Sequence, residues 1–432
     1  MSKKVTFIGG GSSKFIYELA RDLFTFPAMQ DVTISLMDID EVRVHMTEAL
    51  VNKMITDLKI NAKVEAGTDR RKMLAGADYV IVTIMVGRFD VYGKDVDIPA
   101  KYGVKQAVSD TIGPGGVFRF MRTYPVLEGL VKDIRDVAPG AWILNYSNPM
   151  AMNVWGILET GYERVVGLCH SVQWTYTILA RAAGIDPAEV TYTAGGINHV
   201  NFYLTLQQKG KDIYPAICAA AHTVLKEHPE MKTSFELLDE IGYFPAEAGW
   251  HQSEYYPYFR KNDDLINSSN APTKTGYTFD KANADKMAIE IPAMTRGEKP
   301  ISYKRGHEYG SFIINAIETN EPFVFYGNVR NNGLIENHLP DAVVEVPCVA
   351  DRTGIRPCRV GRIPEILAAL QRAHVSVHSM AVKGTIAHDR EMIIHALMAD
   401  PLTATICTLP QIRAMANEMF AANREWLIGW GL

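Results

Sequence analysis

The sequence predicts an α/β protein, with a doubly wound parallel sheet at the N-terminus joined to a second domain of mixed α/β structure. Three observations carry that expectation. Short apolar runs alternate with amphipathic stretches through the first third of the chain, and such alternation builds a parallel sheet with helices on both faces. Three consecutive glycines follow the first run directly, where sheets of this kind turn from strand to helix. Past residue 170 the pattern loosens into longer strands and then helices. The expected division is therefore 1–170 and 171–432. A chain of 432 residues accommodates two large domains, or three at ~150 residues each.

Taken in order, the runs at 5–9, 32–38, 79–85, 142–146 and 164–168 read as buried strands, and 15–24 and 42–58 carry apolar residues at helical spacing. Further on, 190–193 and 201–206 read as strands, and 308–318, 363–374 and 412–420 as helices. Residues 261–304 are polar and lack apolar periodicity, so a mobile excursion is expected there.

Composition narrows the function. Apolar residues at 47% and charged residues at 22% are ordinary for a folded chain. A net charge of −5 without a basic block or acidic tail argues against nucleic acid and anionic membranes as partners. No apolar run reaches the ~18 residues of a membrane span, and MSKKVTFIGGG lacks the apolar stretch of a signal peptide. Five scattered cysteines argue against a disulfide framework. Cys218, Cys348, Cys358 and Cys407 read as core thiols. A cytoplasmic enzyme acting on a small molecule is expected, as a homodimer or homotetramer.

In Gly9-Gly10-Gly11-Ser12-Ser13-Lys14, glycines at 9 and 11 permit a tight turn and let backbone N–H groups approach a pyrophosphate at a helix N-terminus. Lys14 stands where the third glycine of the dinucleotide fingerprint would fall. Asp38 closes the second strand in LMDID, where a carboxylate accepts hydrogen bonds from a ribose diol and repels a 2′-phosphate. Together these point to a Rossmann-like site for NAD rather than NADP.

Ligands in such sheets bind beyond the carboxyl ends of the strands, where several polar clusters fall. Asp110-Thr111-Ile112-Gly113-Pro114-Gly115-Gly116 precedes a helix containing Arg119 and Arg122, Asn145-Tyr146-Ser147-Asn148-Pro149 ends the fifth strand, and Cys169-His170-Ser171 ends the sixth. Gly196-Ile197-Asn198-His199 lies between two later strands. A Cys and a His at adjacent strand ends can bind one cation, but no CxxC or HxxxH spacing supports it, and on spacing alone a buried structural thiol and a hydrogen-bonded core or loop histidine explain them better. The segment from Trp250 to Tyr258 is rich in Tyr. It reads either as a packed surface loop or as the source of a tyrosine base whose pKa a nearby cation lowers.

These motifs (Gly9-x-Gly11-Ser12, LMDID, Asp110 with GPGG, LNYSNPM, GLCHSVQ, GINHV, YGNVRNNGLIEN and VVEVP) occur in this order, and together they resemble family 4 of the glycoside hydrolases over residues 5–430. CHSVQ, GINH, SEYYPYF and YGNVRNNGLI resemble its melibiose-hydrolysing α-galactosidases. The resemblance implies a fold like that of lactate and malate dehydrogenases, and NAD and Mn²⁺ as cofactors. Gly9, Gly11, Ser12, Asp38 and Asn145 would bind the dinucleotide, and Cys169 and His199 the metal. Asp110, Asn148 and His170 would contact the sugar. It further implies hydride removal from C3, proton abstraction from C2 by Tyr255, elimination of the group at C1, addition of water and reversal of the steps. Such a route needs no pair of flanking carboxylates. Family members acting on 6-phosphorylated sugars carry an Arg where Tyr92 aligns and Asp or Asn where His170 aligns. An unphosphorylated α-galactoside is therefore expected, with an α-galacturonide, α-glucuronide or α-glucoside as the alternative, and His170 either donates a proton to the leaving group or only touches the sugar. The rival from another class is an NAD-dependent 2-hydroxy-acid dehydrogenase.

Overall fold

The computed structural model describes residues 2–247 and 249–431. Its strands are β1 (Lys4–Ile8), β2 (Thr33–Met37), β3 (Lys63–Gly67), β4 (Tyr79–Val82), β5 (Trp142–Asn145), β6 (Val165–Leu168), β7 (Val190–Ile197), β8 (Val200–Gln208), β9 (Lys211–Asp212), β10 (Phe323–Arg330), β11 (Val343–Asp351) and β12 (Gly354–Pro357). The first six pair in parallel in the order β3-β2-β1-β4-β5-β6, the strand order of the dinucleotide-binding fold. Val5, Phe7, Ile34, Leu36, Val80, Ile81 and Val82 are all buried. That is why these strands are apolar runs rather than alternating ones: helices cover both faces. The sheet continues through β10, β11, β7, β8 and β9, with β12 beside β11, and every pairing beyond β6 is antiparallel.

Order reverses beside β1, whose neighbours β2 and β4 lead to opposite halves of the parallel region. The glycine turn opens the helix Ser13–Phe24 at that point. Among the described residues, no helix is long and apolar enough to cross a membrane.

Three expectations need correction. The stretch 261–304 is largely helical, with helices Asp263–Ser268 and Thr275–Thr295. The longer helix is pinned at a few points rather than along an apolar stripe, which is why its sequence shows no period. Gly276 lies against Val108, Tyr277 meets Phe89 and Tyr92 edge-on, and only Ile291 and Met294 are deeply buried at its far end. All five cysteines are free, but Cys218 and Cys358 are exposed, and only Cys348 and Cys407 behave as core thiols. Cys218 sits in the short helix Tyr214–Ala219, whose one buried residue is Ile217, and Cys358 follows β12 off the central sheet path. Finally, β6 and β7 are not adjacent. The hairpin partners β10 and β11 lie between them, and the residues beyond their ends converge across that pair.

Candidate active site

The glycine turn is shaped by close approach. Gly9 has φ +95°, and a Cβ there would stand 2.6 Å from the Thr83 carbonyl oxygen, so no L-side chain fits. The Gly11 amide donates to Asp38 Oδ2 at 2.8 Å, and the Asp40 amide to Asp38 Oδ1 at 3.0 Å. Each carboxylate oxygen keeps a second lone pair for another donor. Ser12 begins the helix without a side-chain cap bond. The residues fit a dinucleotide: a cradle that a side chain would fill, a free hydroxyl, a helix N-terminus and a carboxylate beyond β2. Asn145 is fully buried, and its amide bonds Ser147 and Met150 while its oxygen accepts from the Ser147 amide. That side chain shapes its own loop.

Beyond β6 and β7 four buried or half-buried side chains meet. His199 occupies the two-residue turn joining β7 to β8, with φ 63°. This left-handed conformation is uncommon outside glycine, and it is held by Gln252, which donates to the His199 carbonyl at 2.7 Å. Nε2 of His199 lies 3.5 Å from Cys169 Sγ and 3.3 Å from Glu247 Oε2. Ser171 Oγ sits 2.9 Å from Cys169 Sγ and hydrogen-bonds Glu247. Ligand atoms of Cys169, His199 and Glu247 all fall within 4.8 Å of one another. Burial, with His251 and His170 nearby, holds the His199 pKa well below its ordinary value, so the imidazole is neutral and offers a lone pair. Burial, and then Glu247 and Glu345, push the Cys169 thiol up, a cost that a cation bound there would offset. A sulfur, a neutral nitrogen and a carboxylate oxygen make a donor set that fits a divalent metal.

The opposite ring nitrogen, His199 Nδ1, is 3.1 Å from the Tyr255 hydroxyl and 3.5 Å from Thr111 Oγ1. Were Nε2 to hold a cation, Nδ1 would carry the proton and donate to the tyrosine oxygen. Tyr255 is not in a surface loop. It ends the buried helix Gly249–Tyr255, which fits because Gly249 has no side chain: a Cβ there would lie 1.4 Å from the Glu230 carbonyl oxygen. Glu254, fully buried, accepts the Val108 and Ser109 amides at 2.8 and 3.2 Å and ties this helix to the loop bearing Asp110. Burial, and then Glu254 and Asp110, hold the Tyr255 phenol well above its usual range. The Tyr256 hydroxyl is buried without a hydrogen-bond partner.

Asp110 accepts from Thr111 Oγ1 and Asn148 Nδ2, both at 2.7 Å. Burial raises its carboxyl, but His251, Arg119 and these two bonds outweigh it and hold the pKa below the ordinary value. Arg119 donates from Nε to the Asn148 carbonyl at 3.2 Å, lies over the Tyr92 ring and leaves Nη1 buried without a partner. His170 sits apart at the rim, its side chain 48% exposed and Nδ1 3.5 Å from Glu308 Oε1. Sequence reasoning missed Glu247, Ser171, His251 and Glu308. Ser171, His251 and Glu308 stand in segments noted for something else and Glu247 in none, and the tertiary fold brings them to Cys169, His199 and His170.

The model for Family 4 glycosyl hydrolase matches residues 4–185, and that for its C-terminal domain residues 194–403. The chain belongs to family 4 of the glycosyl hydrolases. An alpha-galactosidase of Bacillus subtilis is 37% identical over 431 residues, 98% of this chain and 99% of that protein. One of Rhizobium meliloti is 35% identical, over 99% of this chain and 89% of that protein. A 6-phospho-alpha-glucosidase from gut microorganisms, in complex with NAD and Mn²⁺, superposes with TM-score 0.83 at 20% identity, covering 99% of each chain. Malate dehydrogenase of Cryptosporidium parvum shares the fold more distantly, with TM-score 0.54 at 14% identity over 90% of this chain and all of that one. The family 4 chain is thus a glycoside hydrolase on a dehydrogenase-like fold, and the 2-hydroxy-acid dehydrogenase reading is set aside.

Proposed function

We propose that this family 4 hydrolase cleaves unphosphorylated α-galactosides by oxidation at C3, deprotonation at C2, elimination of the aglycone and addition of water. The observation that carries the reading is His199, whose two ring nitrogens face the Cys169–Glu247 donor set on one side and the Tyr255 hydroxyl on the other. When bound, NAD⁺ supplies a hydride acceptor at C3, and a divalent cation such as Mn²⁺ lends positive charge to the sugar oxygens. Cys169 and His199 would hold the cation, and Gly9, Gly11, Ser12 and Asp38 the dinucleotide, with Asn145 shaping the adjoining loop.

The ketone at C3 acidifies C2–H, and Tyr255 takes that proton. Its phenol needs help, since burial raises its pKa. The His199 Nδ1–H supplies it by donating to the phenolate, a charge-assisted bond stronger than a neutral one. Asp110 and Asn148 orient sugar hydroxyls, with Asp110 kept ionised for the purpose. In this reading His170 lies against the departing oxygen with Nδ1 3.5 Å from Glu308 Oε1, and because burial and Lys14 hold its pKa below the ordinary value it contacts the sugar mainly as a neutral imidazole.

Substrate choice rests on Tyr92 and the charges around Arg119. Tyr92 is fully buried and donates to the Val108 carbonyl at 2.9 Å, so this position offers no cation to a sugar phosphate. The buried, unpartnered Nη1 of Arg119 favours a second reading, an α-galacturonide whose C6 carboxylate it would bind. Against it, Asp110 and Asp280 both lie within the electrostatic reach of Arg119, and a third carboxylate would be repelled.

The test is a substrate labelled with deuterium at C2. Galactose released in ordinary water should carry solvent hydrogen at C2, because elimination and readdition exchange that position. Full retention of the label would eliminate the route and the role of Tyr255. Comparing kcat/KM on p-nitrophenyl α-galactoside, α-glucoside and α-galacturonide decides the substrate.

A further inference from the structure

A cysteine and a histidine alone are a donor pair that soft thiolate chemistry assigns to zinc as readily as to any other divalent metal. What distinguishes this site is the third group. Glu247, 4% exposed, brings Oε2 to 3.3 Å from His199 Nε2, and the Ser171 hydroxyl bridges it to the thiol, bonding the carboxylate and lying 2.9 Å from Cys169 Sγ. Donor atoms bound tetrahedrally to one small dication at metal–ligand distances near 2.0–2.3 Å stand about 3.3–3.8 Å apart. The separations of 3.5 and 3.3 Å from His199 Nε2 to sulfur and to oxygen match that edge length. Charge agrees as well: a thiolate and a carboxylate carry two negative charges, which one divalent cation neutralises in a buried place.

We propose that Glu247 is the third protein ligand of the divalent cation, held in position by Ser171, and that its oxygen raises the affinity of the site for Mn²⁺ more than for Zn²⁺. The inference rests on the reading that Cys169 and His199 hold the cation. It adds a hard oxygen donor to them, and oxygen donors favour Mn²⁺ where thiolate and imidazole favour zinc. Ser171 is a positioning residue: it keeps the carboxylate turned toward the sulfur and touches no substrate atom.

The experiment is metal binding to the chelator-stripped full-length protein without sugar or dinucleotide. Free Mn²⁺ is followed by its electron paramagnetic resonance signal, and Zn²⁺ by competition with a chromophoric chelator. Loss of an outer-shell partner costs about 10–100-fold in affinity, so a true ligand must exceed that. Glu247→Gln is expected to weaken Mn²⁺ by more than about 100-fold and Zn²⁺ by clearly less, with Ser171→Ala weakening Mn²⁺ within the outer-shell range. Glu247→Asp, which keeps a shorter carboxylate, should recover part of the Mn²⁺ loss and guards against a folding defect in the Gln variant. Thermal unfolding and NAD affinity serve as folding controls. If Glu247→Gln loses less than a hundredfold while Cys169→Ser loses Mn²⁺, the ligand assignment of Glu247 is wrong. If Mn²⁺ and Zn²⁺ fall equally, the metal preference is wrong. Mn²⁺ binding kept by Cys169→Ser and His199→Ala overturns instead the reading on which the inference rests.

Discussion

Two regions of this molecule make sites by opposite means. The turn after β1 is made of main chain. Gly9 to Ser12 are contiguous, and their neighbour Asp38 follows the next strand in the sheet, so in the proposed dinucleotide site amide groups and a helix end would do most of the binding. The pocket beyond β6 and β7 is made of side chains gathered from five separate segments, around Asp110, Asn148, Cys169, His199 and the stretch from Glu247 to Tyr255. In the first, altering one side chain removes one hydrogen bond from many. In the second, buried titratable groups depend on one another, and removing any of them leaves its partners uncompensated. The difference predicts a graded response at one site and a near all-or-none response at the other.

The largest effect belongs to the proposed cation ligands. Cys169→Ser and His199→Ala should each lower kcat by more than about 10³-fold, because charge developing on the sugar oxygens loses its stabilisation. The same variants should leave NAD affinity within about threefold, as expected of sites that share no partner. Turnover surviving chelation and Mn²⁺ readdition in either variant would dissolve the contrast between the regions. Next comes Tyr255→Phe, which removes the base and keeps the ring. Cleavage and C2 exchange should fall together by about 10²–10⁴-fold, while Tyr256→Phe, whose hydroxyl has no hydrogen-bond partner, should lose far less. Equal losses in the two would move the base to Tyr256. Third is Gly249→Ala, which places a methyl group 1.4 Å from the Glu230 carbonyl oxygen. Backbone must move to relieve it, at a cost of about 3 kcal/mol, read as a lower urea midpoint. An unchanged midpoint would mean that the helix carrying Tyr255 is not fixed by that contact.

How much could be read in advance follows the same division. The parallel strands, Gly9, Gly11 and Asp38 were legible because each is a local pattern: an apolar run, a turn that needs glycine, an acid at a strand end. Cys169, His199 and Tyr255 could be named only through a family resemblance, since nothing in their spacing foretells that β10 and β11, arriving over 100 residues later in the chain, separate the strands that lead to Cys169 and His199. Glu247 gave no local signal at all, because a candidate ligand defined by a 3.3 Å approach to a residue nearly fifty positions away is visible only in the fold. The helix Thr275–Thr295 escaped for a related reason: its deeply buried residues are few, Gly276 near one end and Ile291 and Met294 at the other, while Phe279 and Ile289 stay largely exposed, so its sequence shows no apolar face.

The smallest effect, and the one that sharpens the comparison most, is at Asp38. Its carboxylate has two tasks: it accepts the Gly11 amide at 2.8 Å and the Asp40 amide at 3.0 Å, and it would accept the ribose diol. Asp38→Ala removes both and should weaken NAD by about 10–30-fold, the worth of one charged hydrogen bond with a looser turn. Asp38→Asn keeps a neutral acceptor for one amide but not the charge, and should cost about threefold to tenfold. The Asn variant should also narrow the preference for NAD over NADP, since the charge that repels a 2′-phosphate is gone. Dinucleotide affinity by fluorescence titration measures all three. A Rossmann turn built mostly of backbone should tolerate these changes with kcat at saturating NAD nearly intact. If instead kcat collapses in Asp38→Asn as it does in Cys169→Ser, the turn is coupled to the chemistry, and the two regions work as one site.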